Sequence, residues 1–127
     1  MIRQFKKYYT LEEARRILPE LKVKLKKIIE LKAELDRQGF DIFKHQYFGG
    51  RGVNGTGEHP EELENLVKLL EELTSDGIVI KGIGNGLVDI PYINKNGDEV
   101  FLCYLYGEDD IKFWHGIDEG YAERKTL

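Results

Sequence analysis

Two β-prone runs, Leu87–Ile93 and Glu99–Tyr106, flank the dipeptide Asn96-Gly97. Asn-Gly between such runs is a strong short-range hairpin signal, because both residues tolerate the positive φ of a tight reversal. A two-residue turn at Asn96-Gly97 predicts the register: Ile93 faces Val100, Tyr92 faces Phe101, Ile90 faces Cys103, Asp89 faces Tyr104 and Val88 faces Leu105. Side chains alternate along a strand, so this register sorts the residues into two faces. One carries Val88, Ile90, Tyr92, Phe101, Cys103 and Leu105. The other carries Leu87, Asp89, Pro91, Ile93, Val100, Leu102, Tyr104 and Tyr106. The runs Ile78–Ile83 and Ile111–His115 complete a four-stranded antiparallel meander, with Trp114 on the Cys103 side and Phe113 and His115 on the Asp89 side.

Upstream, the period changes from two to 3.6. Thr10-Leu-Glu-Glu13 has the form of a capping box, and Leu11, Ala14, Leu18, Leu21, Leu25, Ile28 and Leu35 follow as one helical stripe. Pro19 lies about two turns in, where it removes a backbone donor, so the helix is expected to kink or break there. A second helix is expected from Pro60, with Glu61, Glu62 and Glu64 near the positive end of its dipole. Its apolar stripe is Leu63, Leu66, Val67, Leu70 and Leu73, and Gly77 is its stop.

The predicted architecture is α+β, a single domain over 1–127. A long helical hairpin (10–76), kinked near Pro19, packs on the four-stranded sheet (78–115), and a tail follows (116–127).

Charge separates along the chain. Residues 1–40 carry 11 basic and 6 acidic side chains, whereas residues 58–76 carry 1 and 7. Two helices laid side by side with these charges neutralise each other, which speaks against a nucleic-acid surface. The first residues lack the apolar core of a signal peptide, and no run reaches membrane-spanning length. A cytoplasmic protein without a membrane partner is expected. The single Cys excludes an internal disulfide.

Between the helices, Gly50-x-Gly52-x-x-Gly55 has the letters of a dinucleotide fingerprint, but a helix rather than a strand precedes it. Residues 49–57 read as a hairpin tip, and Phe40, Ile42, Phe43, Tyr47 and Phe48 as an extension of the helix or a plug for the core. No cofactor is expected.

The predicted register places Asp89, Tyr104 and His115 side by side on three adjacent strands, the candidate acid/base site. Asp89, Glu108, His115 and Asp118 offer an oxygen and nitrogen set for a divalent cation. Cys103 falls on the other face, where it reads as a buried structural thiol. The Asp89/Tyr104 face is more apolar than a solvated face needs to be, so a homodimer through it is expected. The leading functional expectation is a homo-oligomeric scaffold or partner-binding protein. The alternative is a small enzyme or metal-dependent binding protein using Asp89, Tyr104, His115, Glu108 and Arg124.

From the second helix onward, Gly77-Ile-Val-Ile-Lys81, Gly86-Leu-Val-Asp-Ile-Pro91, Gly97, Val100-Phe-Leu-Cys-Tyr104, Gly107-Glu108, Trp114-His115, Asp118 and Gly120 form a specific pattern. Together they resemble a prokaryotic family, domain of unknown function 2203. Tyr9-Thr-Leu-Glu-Glu-Ala-Arg15 and Leu18-Pro-Glu-Leu21 extend it to nearly the whole chain. It implies a stand-alone bacterial or archaeal protein with no assigned activity and a signature of Asp89, Cys103, Glu108, Trp114, His115 and Asp118. Tyr104 stands where that family commonly has Trp.

Overall fold

A computed structural model of the chain describes residues 4–44 and 60–127. Helix α1 (Leu11–Arg37) begins at the Thr10–Glu13 capping box, with both reciprocal bonds formed. It continues unbroken through Pro19, so the helix does not split there. Pro19 lies on the solvent side, while Ala14, Leu18, Leu21, Leu25, Ile28, Leu31 and Leu35 hold the opposite stripe in the core. Burial of that stripe outweighs the loss of one backbone donor.

Helix α2 (Glu61–Ser75) buries Leu63, Leu66, Val67 and Leu73. It ends at Gly77, whose φ of 81° lets the amides of Gly77 and Ile78 return to the carbonyls of Thr74 and Leu73. Gln38 bonds Glu62 and Lys24 pairs with Glu72, so α1 and α2 lie antiparallel and basic α1 meets acidic α2. The Gly-rich segment 49–57, with Tyr47 and Phe48, lies outside the described residues. Ile42 is buried, and Phe43 is exposed.

The sheet has five antiparallel strands, not four, in the order β1 (Val79–Gly82), β2 (Leu87–Ile93), β3 (Glu99–Leu105), β4 (Phe113–Gly116) and β5 (Lys125–Thr126). The fifth comes from residues expected to form only a tail. It pairs with β4 through Phe113–Thr126 and Trp114–Lys125.

The turn between β2 and β3 corrects the expected register. Asn94 pairs with Asp98 through its backbone, and Lys95, Asn96 and Gly97 form a three-residue loop with Gly97 at φ 85°. The Asn94 carboxamide oxygen accepts the amides of both Asn96 and Asp98 at 2.9 Å. These two local bonds favour the longer loop over a two-residue turn. Ile93 therefore faces Glu99 and Asp89 faces Cys103.

A one-residue slip turns a strand over. The β3–β4 pairing is shifted too, with Phe101 opposite His115 and Cys103 opposite Phe113. Relative to the expected sorting, β3 alone changes sides. Val88, Ile90, Tyr92, Leu102, Tyr104 and Trp114 face the helices and join the core. Asp89, Pro91, Phe101, Cys103, Phe113 and His115 share the outer face.

The chain supplies its own cover for that outer face. The Phe5 ring lies 5.3 Å from that of Phe101, and Gln4 and Tyr8 bond Glu99. At the other side Arg124 lies over Phe113.

Candidate metal centre

Three side chains from three adjacent strands meet on the covered outer face. Asp89 (β2) and Cys103 (β3) are direct cross-strand partners, and His115 (β4) lies one strand further, opposite Phe101. Their relative exposures are 2%, 1% and 1%. His115 Nε2 is 2.9 Å from Asp89 Oδ1, and its Nδ1 is 2.8 Å from the Gly116 carbonyl oxygen. One ligand atom from each of Asp89, Cys103 and His115 lies within 4.8 Å of the others.

Both imidazole nitrogens thus face oxygen acceptors, whereas a neutral ring donates through only one. A doubly protonated ring satisfies both oxygens. A neutral ring whose Nδ1–H donates to Gly116 instead turns its Nε2 lone pair toward Asp89 and Cys103. That second arrangement is the usual one of a metal-ligating histidine, with its other nitrogen anchored by a carbonyl.

Burial pushes the Cys103 thiol up to about 12, and the Asp89 carboxylate beside it adds to the effect; Arg124 pulls in the opposite direction. Without a metal ion, Cys103 is therefore a neutral thiol near pH 7 and a poor nucleophile.

Arg124 closes the site from the C-terminal segment. Its Nη1 contacts Glu108 Oε1 at 3.0 Å and Oε2 at 2.9 Å, and its guanidinium carbon lies 4.1 Å from the ring centroids of both Phe113 and Tyr121. Phe113, which it covers, is the cross-strand partner of Cys103, and the guanidinium charge lowers the Cys103 thiol against the effect of burial. Glu108 is fixed in turn by the Leu105 amide at 2.8 Å.

Of the acid/base candidates Asp89, Tyr104 and His115, the structure brings together only the first and last. Tyr104 is on the helix side, where its hydroxyl donates to the Glu108 carbonyl at 2.8 Å. Of the cation candidates Asp89, Glu108, His115 and Asp118, Glu108 is paired with Arg124 and Asp118 is exposed. Cys103 takes their place. The sequence signal for it is Asn94, four residues before Asp98, which marks the longer loop.

The matching family model spans residues 7–127, nearly the whole chain. The chain belongs to the family described as uncharacterized conserved protein (DUF2203). No curated protein and no solved structure matches it. In this DUF2203 member, no helix among the described residues is long and apolar enough to cross a membrane.

Proposed function

We propose that the protein binds a divalent transition-metal ion of the zinc class through Cys103 Sγ, His115 Nε2 and a carboxylate oxygen of Asp89. The observation that carries this reading is the convergence of these three atoms in a buried place, with the far nitrogen of His115 held by a carbonyl. A thiolate and an imidazole favour zinc-like ions over calcium or magnesium. One thiolate and one carboxylate also balance a divalent charge, which buried groups require. A cytoplasmic setting, where thiols stay reduced, suits the single free cysteine.

A cysteine-nucleophile enzyme fits less well, because the thiol is held neutral. A homo-oligomeric scaffold needs an uncovered apolar face, and Phe5 and Arg124 pack on Phe101 and Phe113 of the face that would serve.

The test is elemental analysis after loading with zinc and desalting. One zinc per chain is expected for the native protein and close to none for Cys103→Ser and His115→Ala. Zinc-free native protein, or equal retention by both variants, overturns the proposal.

A further inference from the structure

We infer that the Asp89, Cys103 and His115 centre takes a small monoanionic oxyanion, of the carboxylate or bicarbonate class, beside its metal, and that Arg124 recognises it. This rests on the metal reading above. Three protein ligands leave one position of a tetrahedral zinc-class ion for an exogenous ligand. Among the described residues no fourth His, Cys, Asp or Glu joins the cluster. Glu108, which approaches it through Arg124, has both oxygens on Arg124 and one also on the Leu105 amide.

Among the described residues, Arg124 is the cation beside this site. Its side chain is 11% exposed, and its guanidinium carbon lies 4.1 Å from the ring centroids of Tyr121 and of Phe113, the cross-strand partner of Cys103. A guanidinium presents several N–H donors in a rigid fork. Glu108 engages Nη1, and the rest of the fork suits a planar oxyanion.

Charge narrows the ligand. Thiolate and carboxylate balance the divalent ion, and Glu108 balances Arg124. A monoanion leaves one net charge in the buried site, and a phosphate dianion leaves two, so desolvation disfavours the dianion.

The test uses the full chain loaded with cobalt(II), whose visible absorption reports its ligands, titrated with acetate and separately with inorganic phosphate. Acetate is expected to change the spectrum saturably and phosphate to act more weakly. Arg124→Gln is expected to weaken acetate binding by about tenfold, the loss of one charge-assisted hydrogen bond. It should still hold one cobalt per chain, and Arg124→Lys should recover part of the affinity. Failure of the native protein to bind cobalt through sulfur overturns the metal reading and this inference with it. Cobalt bound through sulfur but silent to acetate overturns this inference alone. Unchanged acetate affinity in both variants overturns the role of Arg124, and phosphate binding more tightly than acetate overturns the charge argument.

Discussion

Asp89 and Cys103 are directly opposed across the β2–β3 ladder, a carboxylate and a thiol on the same face of the sheet. His115 reaches the same place from β4, bonding Asp89 at 2.9 Å. That opposition depends on one extra residue in the Asn94–Asp98 reversal.

The register is open to direct chemical reading. Opposed Cα atoms in an antiparallel pair are about 4.5–5.5 Å apart, within disulfide range. Asp89→Cys is expected to form an intrachain disulfide with Cys103 on mild oxidation, whereas Ile90→Cys, on the opposite face, is not. Thiol counting and intact mass distinguish the two. Bridging by Ile90→Cys alone would restore the tighter register.

The Asn94 side chain holds the loop through two amide bonds. Asn94→Ala is expected to lower unfolding stability by about 1–2 kcal/mol, the net worth of two such bonds. Urea unfolding measures it, and an unchanged midpoint would mean that another feature sets the loop.

The helices were legible in the sequence because their signals are local: the Thr10 capping box, the leucine stripes and the stop at Gly77. The existence and order of four strands were legible for the same reason. Which side β3 presents was not, because face assignment turns on whether the loop contains two residues or three. The competing signals, Asn96-Gly97 and Asn94, lie within one tetrapeptide. Asp89 and His115 share a face under either loop length because β2 and β4 keep their relative facing. The two-residue turn separates Cys103 from them and adds Tyr104 because both lie on the one strand whose facing the loop length decides. The fifth strand has no sequence signal because Lys125–Thr126 is too short for a period-two pattern.

Tyr104 supplies a control for the site. Its hydroxyl donates to the Glu108 carbonyl from the helix side. Tyr104→Phe is expected to cost about 1 kcal/mol of stability, one hydrogen bond's worth, and to leave zinc stoichiometry unchanged. Loss of zinc in this variant would place Tyr104 in the centre after all.

The Cys103 thiol gives a pH signature in the metal-free protein. Burial first, and the Asp89 carboxylate second, raise its pKa from 9.0 to about 12 in the folded chain. A raised folded-state value means that the contribution is fully present below the unfolded pKa. It is lost as pH climbs from about 9 toward 12. Urea midpoints from pH 8 to 11 are expected to fall more steeply for the native protein than for Cys103→Ser, and parallel curves would refute the assignment. Zinc binds the thiolate, so uptake near pH 7 is expected to release at least one proton per metal, measurable in weakly buffered solution.

The central claim is tested most directly by X-ray absorption at the zinc edge of the loaded protein. The account predicts one sulfur scatterer at about 2.3 Å together with nitrogen and oxygen scatterers at about 2.0–2.2 Å, including the signature of one imidazole. A shell of nitrogen and oxygen alone, with no sulfur, would contradict it.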